Sequence, residues 1–260
     1  MNIEPLTFEA FDKVLRGTLY LPNRHDDEVP VALLFHGFGG NRIEGSRFFV
    51  RLARRLVAKG IAVVSYDRAG HGESDGDFFD TTVTGDIKDA QEVLAASEGY
   101  PFADRNDIHI VGYSLGGVVA AGVVAEASNT VRSLTLISPA AIFVDDIRKG
   151  LIQGKSLSSL KSKGYFDFYG DEMGEKMIED AGSFDVYQSA RGFEGKVLIM
   201  QGTNDFIPLS YAERYKKVYG DNATLLIRDG ADHGWATVPD REYAMSHVTR
   251  FVCRNAFPKA

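Results

Sequence analysis

The stretch from Ile108 to Val119, IHIVGYSLGGVV, places a serine between two glycines at the join of a strand-length apolar run and a helix-length one. A serine in so sharp a strand-to-helix turn takes strained backbone angles, and Gly112 and Gly116 are needed because side chains there would collide with neighbouring backbone. Ser114 is then presented as a nucleophile. The helix that begins at Leu115 directs its N-terminal dipole at the oxyanion formed by attack on a carbonyl. A bare G-x-S-x-G also occurs as an ordinary Gly/Ser turn, and the flanking strand and helix separate the two cases.

A serine hydroxyl needs a base. Of the six histidines, His233 stands in a loop after the last predicted strand, within Gly230-Ala231-Asp232-His233-Gly234-Trp235. Asp205, in GTNDFIP, follows the apolar run Val197 to Met200 and precedes a helix, completing the chain order Ser, Asp, His. Its expected task is to fix the tautomer of His233 and stabilise the imidazolium while the other ring nitrogen takes the serine proton. Asp232, beside His233, is the competing acid and reads more readily as a turn residue. His247 falls on a helix surface, His109 within a strand and His25 in a charged loop. His36 and His71 sit in turns that shape the sheet edge, where structural hydrogen bonding is expected. The loop His36-Gly37-Phe38-Gly39-Gly40-Asn41 lets backbone N–H groups approach a substrate oxygen, with Phe38 N–H as first donor and Leu115 N–H as second.

These residues need a scaffold that brings loops together. Leu6 to Leu21 reads as one or two antiparallel strands. Short apolar runs follow at Val31 to Phe35, Ile61 to Tyr66, Ile108 to Val111, Leu134 to Ile137, Val197 to Met200 and Thr224 to Ile227. Helical spacing lies between them at Ser46 to Ala58, Thr84 to Ala96, Leu115 to Ala127 and Leu209 to Val218, with Asp240 to Phe251 after the last. Such alternation implies a parallel sheet covered on both faces, with active groups at the carboxyl ends of its strands. Ala141 to Phe193 breaks the rhythm. It is too long for a structureless loop and is predicted to carry short helices as a cap, 141–193, inserted into a core of 1–140 and 194–260.

The 260 residues are 44% hydrophobic and 25% charged, as expected of one large α/β domain with an insertion. A net charge of -7 argues against nucleic acid or an anionic membrane as partner. The N-terminal residues resemble neither a secretory signal nor a transit peptide, and no segment approaches transmembrane length. The single Cys253 excludes an internal disulfide, so the expected compartment is the cytoplasm. No HExxH or paired metal-ligand spacing is present, and no metal is expected.

Four stretches, HGFGGN at 36–41, DRAGHGESDGDF at 67–78, GYSLGG at 112–117 with SPAA at 138–141, and GADH at 230–233, give the chain a resemblance to the α/β-hydrolase superfamily. Within it the chain is similar to bacterial cinnamoyl (feruloyl) esterases. The resemblance implies an α/β-hydrolase fold: a mostly parallel eight-stranded sheet, helices on both faces, and a cap between core strands 6 and 7. It also implies carboxylic-ester hydrolysis without cofactor, a triad of Ser114, Asp205 and His233, and an oxyanion hole of Phe38 and Leu115. Cinnamoyl esterases often carry Gln after the nucleophile and Thr after HGF, where this chain has Leu115 and Gly39. Backbone donation survives either change. Tyr165, Phe166, Phe168, Tyr169 and Phe184 are candidates for an aromatic pocket or for simple cap core, and no substrate-binding residue is named. The expected substrate is a small-molecule ester, hydroxycinnamoyl or short acyl, with a homodimer left open. The alternatives are a monoacylglycerol-type lipase, thioesterase or aminopeptidase of the same fold, and, from another class, a ligand-binding receptor or pseudoenzyme.

Overall fold

Val31, Leu33 and Phe35 point into one apolar layer and Ala32 and Leu34 into another, and all five are fully buried. A strand covered on both faces reads as a continuous apolar run, and this one lies inside a sheet with helices above and below. The computed structural model describes residues 1–23, 28–127 and 130–256; His25 lies outside the described residues.

Eight strands form one sheet: β1 (Asn2–Ala10), β2 (Lys13–Leu21), β3 (Val29–Phe35), β4 (Ala62–Tyr66), β5 (Ala103–Tyr113), β6 (Val131–Ile137), β7 (Lys196–Gly202) and β8 (Ala223–Arg228). Their spatial order is β1-β2-β4-β3-β5-β6-β7-β8. Only β2 runs against its neighbours; the other adjacent pairs are parallel. This is the mostly parallel eight-stranded sheet that was expected. The nine α-helices among the described residues are α1 (Phe48–Val57), α2 (Val83–Glu98), α3 (Leu115–Glu126), α4 (Ile142–Arg148), α5 (Ser159–Lys163), α6 (Glu175–Ser183), α7 (Val186–Ser189), α8 (Leu209–Tyr219) and α9 (Val238–Asn255). Helices α1 and α9 cover one face, and α2, α3 and α8 the other. Every residue of α3 from Leu115 to Val124 is buried, which accounts for a helix with almost no polar side. None of the described helices is long and apolar enough to cross a membrane.

Register sets where the loops meet. Phe35 pairs with Gly112, Tyr113 with Ile137, and Ile137 with Met200, so β3, β5, β6 and β7 end at one level. The loops carrying His36, Ser114, Ser138 and Asp205 therefore leave the same edge of the sheet. β5 is longer than its apolar run because Asp104 to Asn106, partly exposed, hides the strand pattern there.

Between β6 and β7 the chain forms the short helices α4 to α7. It also forms two small hairpins, Leu151–Ile152 with Lys155–Ser156 and Phe166–Phe168 with Asp171–Met173. Strands of two or three residues show no readable period, which is why the sequence gives no hint of them. Phe143, Ile147, Phe168, Met173 and Met177 of this segment join the apolar layer of α2 and α3. Polar ties fasten it at several points: Gly174 N–H to Phe79 O at 3.1 Å, Thr84 N–H to Asp180 at 3.0 Å, and Tyr211 Oη to Asp145 at 2.8 Å.

A Cβ on Gly116 would overlap the carbonyl oxygens of Phe35 and His36, atoms of a backbone that cannot step aside. Gly116→Ala is therefore expected to cost about 3 kcal/mol or more and to lower Tm by roughly 6–12 °C in thermal unfolding. Gly182→Ala, whose Cβ would meet nothing within 4 Å in α6, is the control and should be neutral or slightly stabilising.

Candidate active site

Ser114 has φ 54° and ψ −123°, a region that disfavours a residue with a Cβ and costs on the order of 1–3 kcal/mol. Hydrogen bonds hold it there. Ser114 N–H donates to Ile137 O at 2.9 Å, and Ser114 O accepts from Gly117 N–H at 2.9 Å and Ala140 N–H at 3.0 Å. The side chain is thereby lifted clear of β5 and α3. Its Oγ lies 2.9 Å from His233 Nε2, and His233 Nδ1 lies 3.0 Å from each carboxylate oxygen of Asp205.

Two carboxylate oxygens facing Nδ1 require that nitrogen to carry the proton, so Nε2 presents its lone pair to the Ser114 hydroxyl. Asp205 is fixed in turn by Gln201 Nε2 at 2.7 Å and Ile207 N–H at 2.9 Å, and its side chain is fully shielded from solvent. The histidine loop is anchored by Tyr113 Oη, which donates to His233 O at 2.7 Å, and by Arg241, which donates to the carbonyls of Gly234 and Trp235. Such a line can withdraw a proton from Ser114 and stabilise the resulting imidazolium.

Asp232 is turned to other work. Its Oδ1 accepts from Ala236 N–H at 2.9 Å and its carbonyl from Trp235 N–H at 3.2 Å, so it shapes the turn that carries His233. The other described histidines lie apart from Ser114 Oγ. His109 is buried between Ser133 Oγ at 2.7 Å and Asp107 at 3.0 Å, and His247 bonds Tyr243 O at 2.8 Å within α9. His36 Nδ1–H donates to Gly37 O at 2.8 Å, and its Nε2 accepts from Arg68 N–H at 3.0 Å. His71 Nδ1–H donates to Ala69 O at 2.9 Å. Burial, and then the Arg68 guanidinium, holds His36 well below the usual histidine range; the same two causes push His71 down to about 3.

Ser114 and His233 open onto a cavity of about 510 Å³, whose wall also includes Phe38 and Leu115. Among the described residues, no group accepts a hydrogen bond from the N–H of either. Gly39, at φ 65°, stands where a Cβ would lie 2.7 Å from the Phe168 ring. Glycine in place of threonine thus leaves room for Phe168, whose ring centroid is 4.7 Å from that of Phe38. Of the five aromatics considered, Phe168 and Tyr169 line the cavity; Phe166 is buried in the apolar layer, Phe184 packs against it, and Tyr165 is half-buried away from the lining. Asp146, Gln153 and Glu44 line the cavity without having been anticipated, and Gln201 supports Asp205 likewise. The signal for Gln201 was a polar side chain directly after the apolar run of β7. For Glu44 it was an acid just after the glycine-rich loop.

The family described as "Alpha/beta hydrolase family" matches residues 32–245. Lipase 1 of Psychrobacter immobilis is 31% identical over 176 residues, covering 65% of this chain and 49% of that protein. Human monoglyceride lipase is 32% identical over 118 residues, 43% of this chain and 36% of that one. The chain thus spans about half or less of the length of these relatives. Among solved structures, Est1E from Butyrivibrio proteoclasticus with ferulic acid bound is similar at a TM-score of 0.87 and 23% identity, covering 96% of this chain and 98% of that one.

The depressed His71 couples stability to pH. Above pH about 6.5 its ring is neutral in both states; below that the unfolded ring takes a proton that the folded one refuses until about 3. Stability is expected to fall through this window, His71 contributing up to about 1.4 kcal/mol per pH unit. Urea unfolding from pH 7 to 4 should show a shallower loss in His71→Asn, which keeps a donor for Ala69 O; an unchanged slope would contradict a buried neutral ring.

Proposed function

The chain belongs to the α/β-hydrolase family, and on that premise we propose that it is a serine carboxylic-ester hydrolase acting on hydroxycinnamoyl (feruloyl-type) or short acyl esters. The observation that carries this reading is the unbroken line from Ser114 Oγ through His233 to Asp205, at 2.9 and 3.0 Å, with the serine end open to a cavity. Ser114 Oγ attacks the ester carbonyl as His233 Nε2 takes its proton. The carbonyl oxygen becomes an oxyanion facing the N–H groups of Phe38 and Leu115. The alcohol then leaves with the proton from His233, and water, activated by the same nitrogen, releases the acid from the acyl-enzyme.

The walls of the cavity support this acyl preference. The rings of Phe38, Phe143 and Phe168 lie together, with centroids 5.0 and 4.7 Å from Phe38, and offer flat apolar faces to a planar acyl group. Asp146, Gln153 and Tyr169 add polar groups that would receive a ring hydroxyl. These side chains come from residues 141–193, which serve in this reading as a cap. The ferulic acid bound to Est1E supports the choice of test substrate. The lipase relatives favour a second reading, a monoacylglycerol-type lipase with a longer acyl chain.

Hydrolysis of methyl ferulate and of p-nitrophenyl esters from two to sixteen carbons, followed with intact-mass detection of an acyl adduct, tests both readings. Turnover should vanish in Ser114→Ala, while Asp205→Asn should lower kcat by about 10⁴-fold by favouring the wrong tautomer of His233. A rate that peaks on long chains with methyl ferulate inert would favour the lipase, and activity untouched by Ser114→Ala would end the serine-hydrolase reading.

A further inference from the structure

Gly37 joins β3 to the loop of Phe38, and glycine has no side chain to bias its φ and ψ. Its conformation must therefore be set by what grips the peptides on either side. On one side the Gly37 carbonyl accepts from the Arg68 guanidinium at 2.8 Å and from His36 Nδ1–H at 2.8 Å, both fully buried. On the other side the Gly37 N–H donates to Glu44 Oε1 at 2.5 Å, while Glu44 Oε2 accepts from Gly45 N–H at 3.1 Å. Arg68 and His36 are held by the core. Glu44 is not; it stands on the cavity wall with Ser114 and His233, and among the described residues no cation lies within ion-pairing distance of it.

The backbone around Glu44 is strained. Glu44 has φ 58° and ψ 165°, and Ser46 and Arg47 have φ 52° and 59°. Angles of this kind persist only where surrounding bonds impose them. Here those bonds are Arg47 N–H to Glu44 O at 3.0 Å, Phe49 N–H to Ile43 O at 3.1 Å and Arg241 to Ser46 O at 3.2 Å. Burial raises the Glu44 carboxyl above its usual range, and the N–H groups of Gly37 and Gly45 oppose that shift.

We propose that Glu44 is the positioning residue of the oxyanion loop. It holds the His36–Gly37 peptide by its N–H while Arg68 and His36 hold the Gly37–Phe38 peptide by its carbonyl, and the two grips together fix φ and ψ of Gly37 with the Phe38 N–H aimed at the acyl oxygen. The inference rests on the esterase reading above. Glu44 touches no reacting atom; it acts through the peptide, and a carboxylate acceptor makes that grip stronger than a neutral one. Without it Gly37 regains its freedom and the donor must be ordered during each turnover.

The test compares wild type, Glu44→Ala, Glu44→Gln and Glu44→Asp on p-nitrophenyl butyrate, with Ser114→Ala as reference. Glu44→Ala is expected to lower kcat by about 10²- to 10³-fold, as loss of an oxyanion donor does, with KM changed by less than about threefold. Glu44→Gln, whose amide oxygen still accepts from Gly37 N–H, should stay within about tenfold of wild type. Glu44→Asp keeps the charge but is a methylene too short, and should resemble Glu44→Ala. Affinity for a trifluoromethyl ketone, which forms a tetrahedral adduct, should fall in parallel with kcat. Wild-type kcat in Glu44→Ala, or equal losses in Glu44→Gln and Glu44→Ala, would overturn the inference while leaving the esterase reading intact. Should Glu44→Ala fail to fold, Glu44→Asp against Glu44→Gln decides it by the same criteria. Turnover that persists in Ser114→Ala would overturn the esterase reading, and this inference with it.

Discussion

The arrangement depends on one tight turn. At Ser114 the chain passes from β5 into α3 at a positive φ, so closely that neither Gly112 nor Gly116 has room for a methyl group. A looser turn would let the serine relax into the helix and turn its hydroxyl toward the core. The strain is sustained by the bonds from Ile137, Gly117 and Ala140, and those depend on β6 lying beside β5 in the observed register. The sheet thus supplies the force that keeps the serine exposed.

The same register supplies its partners. Asp205 leaves the end of β7 and His233 follows β8, so Ser114 and His233, 119 positions apart along the chain, come within 2.9 Å. Their environments differ. The Asp205 carboxylate is sealed from solvent between Gln201 and Ile207, whereas the His233 side chain keeps about a fifth of its surface exposed. A sealed acid and a partly open base suit the proposed proton transfer, since the acid must hold one orientation while the base faces substrate and water. The buried Arg68 serves the opposite wall, pairing with Asp86 and reaching the Gly37 carbonyl. Its charge is worth burying only because both partners meet it.

The segment between β6 and β7 forms part of the cavity wall. Its apolar residues share a core with α2 and α3, and its ties to Phe79, Thr84 and Tyr211 fix Phe168 against Phe38. Gly39 accommodates that ring, so its loop and the segment between β6 and β7 are matched in size.

What the sequence determined by itself was whatever acts over a few residues: the glycines around Ser114, the alternation of buried runs with helices, and the order Ser, Asp, His. Those are steric and periodic requirements that neighbouring residues either meet or fail. The sequence already favoured Asp205 over Asp232 as the partner of His233, whereas the contacts of Gln201, Arg68 and Glu44, and which aromatics face the cavity, were decided only by tertiary structure. Each depends on where a side chain points once strands from distant parts of the chain share a register, and the hairpin strands of two and three residues between β6 and β7 carry no period from which that could be read.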